Sequence, residues 1–254
     1  MTRAAAAAAF AFASISAPLA SAAVMEFQTG RDSTLIQNNS DGNYGGRNEV
    51  LIGATGSGQQ RAGIVAWDVS SLAGQYISID SMSVTFTIFR VAATTSWGIN
   101  LLNESGVDWV EGTDTSGATQ PGTVTWDFRQ EGVLGTEWDL GGARGGPAVY
   151  GSMGTLALTD GVDVVNDKVT INLTAGSLPS NVDTLTEIMD LWTSGGNTGL
   201  GIYGGQAQWG LDSFQGSIAA DRPLLTVNYT PVPEPTVACL GGLGLLGLLR
   251  RRRA

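Results

Sequence analysis

The chain has 254 residues, 43% of them apolar, with 36 glycines and a mean hydropathy of +0.09, which is enough apolar material for a sizeable core and about twice the usual glycine share. It has no histidine, and its single cysteine, Cys239, lies in the C-terminal tail, so Ser-His-Asp and Cys-His nucleophiles, thiol redox chemistry, disulfides and His/Cys zinc sites are excluded from the body. The net charge is −10; without Arg3, the four arginines at 250–253 and Glu234, the body keeps 8 basic and 22 acidic side chains, a charge of −14 that argues against nucleic acid as a partner.

In chain order, residues 1–22 come first. Arg3, an apolar run over 4–15, small residues around Pro18 and the A-x-A pattern Ala20-Ser21-Ala22 predict a secretory signal peptide cleaved after Ala22. From residue 23 to 230 the apolar period is mostly two, with β-branched runs separated by Gly, Asn, Asp and Ser. Strands are predicted over 24–28, 34–37, 49–53, 62–69, 77–91, 98–103, 168–173, 199–203 and 224–229. In 83–90 the alternation directs Val84, Phe86 and Ile88 inward and the threonines outward. A single helix is predicted over 181–193, with Val182, Leu185, Met189 and Trp192 at helical spacing, Pro179-Ser180 as start signal and Gly195-Gly196 as stop. The βαβ rhythm of a doubly wound fold is absent, and the expected class is all-β: an antiparallel, jelly-roll-like β-sandwich carrying one short helix.

The tail, 231–254, has its own order. Pro231-Val232-Pro233-Glu234-Pro235 leads into an apolar stretch over 236–249 and then Arg250, Arg251, Arg252 and Arg253. Fourteen helical residues reach about 21 Å against a hydrocarbon core of roughly 30 Å, so this short hydrophobic helix spans only a thinned bilayer, with the arginines held in the cytoplasm. This order resembles the PEP-CTERM sorting signal of Gram-negative bacteria that make extracellular polysaccharide. The resemblance implies that an exosortase recognises Pro233, Glu234 and Pro235, cleaves near them, and releases or re-anchors the domain beyond the inner membrane. A permanent short anchor is the alternative.

The body carries a second resemblance. Asp32-Ser33-Thr34-Leu35, Asn43-Tyr44-Gly45-Gly46, Val50-Leu51-Ile52-Gly53, Trp67-Asp68-Val69-Ser70, Val107-Asp108-Trp109-Val110-Glu111-Gly112-Thr113, Val124-Thr125-Trp126, Asn197-Thr198-Gly199-Leu200 and Arg222-Pro223-Leu224-Leu225-Thr226-Val227 follow one another in an order similar to that of DNRLRE domains. These are extracellular β-sandwiches related to disaggregatase repeats and to a carbohydrate-binding module family that includes alginate binders. The chain departs from the pattern in the Gly-rich stretch 131–150 and at Gln215, where an acidic residue is common.

Sugar sites set aromatic faces beside polar groups that bond hydroxyls. Of the seven tryptophans, Trp67, Trp109 and Trp192 read as core, whereas Trp97, Trp126 and Trp138, near polar or Gly-rich loops, are the expected exposed ligand contacts. Arg47, Arg61, Arg129 and Arg144 are the cations available to an anionic polysaccharide. Asp108, Glu111 and Asp114 are the candidate calcium ligands, with a solvated acidic surface as the alternative for them and for Asp160, Asp163 and Asp167. Tyr44 with Arg61 is the pair a lyase would use, and a carboxylate pair is what a glycosidase would use. The expectation is a non-catalytic exported protein of the cell surface, outer membrane or extracellular matrix that binds polysaccharide, its other partners being signal peptidase, exosortase and, transiently, the membrane. A polysaccharide lyase or glycosidase and a purely structural surface or adhesion protein are the alternatives.

Overall fold

The computed structural model describes residues 21–102, 108–134, 136–138, 149–176, 182–197 and 199–233. Residues 1–20 of the predicted signal peptide, Arg144, Glu234, Pro235 and Arg250, Arg251, Arg252 and Arg253 lie outside them, as does the apolar stretch of the tail. Among the described residues no helix is long and apolar enough to cross a membrane. Ala22 and Pro233 are each exposed.

Among the described residues of a compact unit, Ala22–Pro231, ten strands and one α-helix are formed. The strands are β1 (Ala23–Ile36), β2 (Glu49–Ala54), β3 (Gln60–Trp67), β4 (Tyr76–Arg90), β5 (Thr95–Leu102), β6 (Val149–Leu158), β7 (Lys168–Leu173), β8 (Leu200–Tyr203), β9 (Trp209–Asp212) and β10 (Leu224–Pro231); α1 is Leu185–Leu191. Strand makes up 44% of the described residues and the ladders are antiparallel, so the described part is all-β with one short α-helix, as the period of two requires.

Two layers are joined at strands that change sheets. β1 pairs β10 through residues 23–28 and β3 through residues 29–36, with a bulge between Thr29 and Arg31 at the crossing. The residues between the two predicted runs, 24–28 and 34–37, are therefore strand as well. β2 pairs β9 up to Ile52 and β3 from Gly53. At that corner Gly53 has φ +95, and a Cβ there would lie 1.9 Å from the Ala207 carbonyl oxygen, so only glycine turns it. One layer holds β1, β10, β4 and β7; the other holds β1, β3, β8, β5 and β6.

The predicted list omits β6 and β9. β6 is broken by Gly151, Ser152 and Gly154, which dilute its alternation, and β9 has four residues, only Trp209 and Leu211 of which are inward-facing core residues. The helix is shorter than 181–193. Its start is a capping box at Thr184, whose Oγ1 accepts from the Glu187 backbone N–H while the Glu187 carboxylate accepts from the Thr184 N–H. Pro179-Ser180 lies outside the described residues.

Strand β3 is buried on both faces from Ala62 to Trp67. Val65, Trp67, Trp97, Ile99, Leu101 and Ile202 join the large core between the layers, which also takes Val84, Phe86 and Ile88 of β4. Ala62, Ile64 and Ala66, on the opposite face of β3, form a second core with Leu35, Trp109, Val124, Trp126 and Trp138. That second core exists because the β5–β6 connection, described over 108–134 and 136–138, folds back over the sheet. Asn43 pins it: fully buried, its Nδ2 donates to the Glu111 and Val124 carbonyls at 2.6 and 3.0 Å, and its Oδ1 accepts from Gly45 N–H.

Candidate functional site

The three tryptophans expected at the surface are buried, and that expectation is corrected. Trp97 is 1% exposed on the inner face of β5, edge-on to Trp209 at 6.2 Å. Trp126 and Trp138 belong to the second core; the Trp138 indole N–H donates to the Thr125 carbonyl, and the Arg129 guanidinium lies 5.6 Å from its ring. All seven tryptophans are buried: Trp67, Trp97, Trp192 and Trp209 in the large core, and Trp109, Trp126 and Trp138 in the second core, where the connection that carries them is its lid rather than free surface.

Each of the three described arginines among those predicted is engaged by groups of the chain itself. Arg47 lies 5.7 Å over the Tyr44 ring and 3.9 Å from the Glu49 carboxylate. Arg61 donates to Asn38 Oδ1 and to the Gln60 carbonyl. Arg129 is 2% exposed. Tyr44 is buried, its hydroxyl accepting from Asn39 Nδ2, which makes it a clamp on the loop at Gly117 rather than an accessible base.

Nor do the candidate calcium ligands converge. Asp108 pairs with Arg31, whose guanidinium reaches both carboxylate oxygens at 2.8 Å. Glu111 Oε1 accepts from the Asp32 backbone N–H and from Gln215 Nε2, both at 2.8 Å. Asp114 Oδ1 accepts from the backbone N–H groups of Ser116, Gly117 and Ala118 and from the Ser116 hydroxyl. Each carboxylate thus serves a different donor set, and among the described residues no group of three or more acidic or cysteine side chains is arranged to hold a metal. Asp163 and Asp167 likewise cap their own turn, accepting from the backbone N–H groups of Thr159 and Val164.

A cleft of about 340 Å³ opens where the β1 bulge meets the end of β3 and the turn after α1, a volume suited to a small ligand. The bulge turns Arg31 toward it. Both terminal nitrogens of Arg31 are engaged twice: Nη1 with the Trp109 carbonyl and Asp108, Nη2 with the Asn197 carbonyl and Asp108. The guanidinium also lies 4.3 Å over the Trp109 ring. Trp67 and Trp192 line the floor, ring centroids 6.4 Å apart and tilted by 33°. Asp68 accepts from the Ser70 N–H at the rim.

Two buried polar atoms of this cleft have no partner: the Trp192 indole Nε1 and the Asn197 Oδ1, whose own Nδ2 donates to the Trp67 carbonyl. Such groups cost about 1–3 kcal/mol each while unmet. Sequence reasoning passes over Arg31 because a β-bulge has no sequence signature in that stretch. It assigns Trp192 to the core, correctly as to burial, and Asn197 is visible only as part of the matched block at 197–200. A second cleft, about 330 Å³, is lined by Gln37, Gln60, Trp126, Tyr203 and Gln206 at the other end of β3.

Away from the clefts, burial raises the Asp32 carboxyl well above its usual range, and burial likewise raises Glu111; burial, with Asp221 nearby, raises Asp212 to about 6. These groups hold protons in the folded chain over a pH range where the unfolded chain, near 3.9 to 4.3, has released them. Stability therefore falls as pH rises from about 4 through about 6, and the penalty is complete above the folded values. Hydrogen bonds lower Asp68, Asp114 and Glu187, and their contribution is lost in the opposite direction, below about pH 4. The melting temperature is expected to peak on the mildly acidic side and to decline toward pH 7.5, with Asp212→Asn flattening that decline. Calorimetry across the pH range checks this; a melting temperature that climbs steadily from pH 5 to 8 refutes it.

Fold and site together define an all-β, antiparallel domain with a ligand-sized cleft at a sheet-switching bulge. No model of a known protein family matches the chain, and no curated protein is similar enough to serve as a relative.

Proposed function

We propose that this chain is a non-catalytic, DNRLRE-like β-sandwich protein that is exported, sorted through its PEP-CTERM-like tail to the cell surface or extracellular matrix, and holds polysaccharide there. The observation that supports binding is the ligand-sized cleft at Arg31, whose rim carries the polar side chains of Asp68, Ser70, Asp108 and Thr193. The signal-like residues 1–22 and the Pro-Glu-Pro, apolar, arginine order of 233–253 support export and sorting by signal peptidase and exosortase. Calcium is not required in this reading, because Asp108, Glu111 and Asp114 each serve donors of the chain itself.

Affinity electrophoresis of the full chain through gels containing alginate, a neutral glucan or the producing cell's own exopolysaccharide tests it, with calcium and then with chelator. Retardation in at least one gel, unchanged by chelator, is the expected result. Equal mobility in every gel overturns the binding role. A purely structural surface protein is the second reading, favoured by the burial of Trp97, Trp126 and Trp138; it predicts that equal mobility.

A further inference from the structure

We infer that the second cleft, at the far end of β3, is a subsite for one ring of an uncharged sugar polymer, with Tyr203 as its platform and the side-chain amides of Gln60 and Gln206 as its hydroxyl contacts. This rests on the polysaccharide-binding reading above and adds to it a site and a substrate class. Three features of the cleft carry it.

The first is an open ring. Every tryptophan of the protein is buried, whereas Tyr203, the last residue of β8, is only half-buried: it packs against the rim of the second core, which fixes the ring, and it lines the cleft. Gly204 and Gly205 follow it in left-handed backbone, φ +91 and +76, and carry no side chain to screen it. A Cβ at Gly205 would lie 2.6 Å from the Trp97 indole nitrogen, so this wall stays bare backbone.

The second is a set of polar groups that water can reach. Gln37, Gln60 and Gln206 line the cleft, and each amide carries both donor and acceptor. Gln37 Oε1 is already used, accepting from the Gln60 backbone N–H at 3.1 Å. Among the described residues the side-chain amides of Gln60 and Gln206 and the Tyr203 hydroxyl make no hydrogen bond to the chain; Gln206 is exposed, and the polar atoms of the other two are not sealed from solvent. An amide gives its N–H to one hydroxyl and accepts from the next, which is the pattern neighbouring hydroxyls of a sugar ring present. Burial raises the Tyr203 phenol above its usual range, so it stays a donor at neutral pH.

The third is charge. The described lining holds no charged side chain, in a body of charge −14, so a uronate finds no cation here and is repelled at long range, while an uncharged ring needs none. The volume, about 330 Å³, suits a single ring.

The test runs the full chain through gels of a neutral glucan, a galactomannan or alginate, beside Tyr203→Ala and Gln206→Ala. Gln206 is exposed, so its truncation should leave the melting temperature unchanged and report on binding alone. The expected results are retardation of the unmodified chain by at least one neutral polymer and less by alginate, with that neutral binding about tenfold weaker in Tyr203→Ala and about threefold weaker in Gln206→Ala. Neutral-polymer retardation unchanged in both variants places binding elsewhere and overturns this site, while polysaccharide binding stands. Alginate retardation as strong as that by the neutral polymers, or in their place, overturns the substrate class. Should Tyr203→Ala fail to fold, Tyr203→Phe replaces it, and unchanged retardation of both Tyr203→Phe and Gln206→Ala overturns the site. No retardation in any gel overturns the polysaccharide reading itself.

Discussion

Trp109→Ala is expected to lower the unfolding free energy by about 3–5 kcal/mol, a large part of the 5–15 kcal/mol typical of a domain. The ring is fully buried in the second core, between the β3 face formed by Ala62, Ile64 and Ala66 and the connection that covers it. Removing it leaves a cavity that the sheet backbone cannot collapse to fill, and it takes away the surface on which the Arg31 guanidinium rests at 4.3 Å. At roughly 2–4 °C per kcal/mol for a domain of this size, the melting temperature should fall by about 10 °C or more. Urea titration gives the free energy, and limited proteolysis gives the location, with new cuts expected within 108–138. A loss below about 1 kcal/mol, or an unchanged cleavage pattern, would show that the connection is not held by this core.

Asn43→Ala should cost about 3 kcal/mol through a different mechanism. It deletes almost no apolar volume but strands the carbonyls of Glu111 and Val124 and the N–H of Gly45 in a dry site, each worth about 1–3 kcal/mol before any water enters. Asn43→Asp should be worse than alanine, since it turns a carboxylate oxygen toward two carbonyls and supplies no donor. Because Asn43 and Trp109 fasten the same connection to the sheet, the double substitution should cost less than the sum of the singles. Denaturation midpoints for the four proteins of that cycle measure the coupling; strict additivity would mean the two anchors act on separate cooperative units.

Much of the β framework was legible because its apolar residues alternate. Val84, Phe86 and Ile88 point inward in β4 as their spacing requires, and seven of the ten strands coincide closely with predicted runs. The gap between 28 and 34 was not legible, because Gly30 and its polar neighbours interrupt the apolar alternation, and the bulge exists only once β10 and β3 pair on either side of it. The helical run was legible at its end, since α1 continues into a wider turn, Trp192–Gly196, that Gly195 breaks with a φ of +103; its start was not, because the Thr184–Glu187 box is a weaker signal than the proline before it.

The candidate site divides in the same way. Composition alone excluded histidine chemistry, since no fold can supply an absent side chain, and confined the one cysteine to the tail, while the charge of the body made an anionic partner unfavourable at long range. Which tryptophans face solvent was decided only by tertiary structure. Trp126 and Trp138 sit among polar neighbours in sequence, yet the long β5–β6 connection lays them on the outer face of β3, so that this strand, in a sheet ordinarily wet on one side, is dry on both. The cleft has the same origin: Arg31, Trp67, Asp108, Trp192 and Asn197 lie far apart in the chain, and a bulge, a strand end, a covering loop and a helix stop bring them to one place. Local alternation determined the strands because burying one face needs only a period of two, whereas the site required long-range pairings that no local pattern encodes.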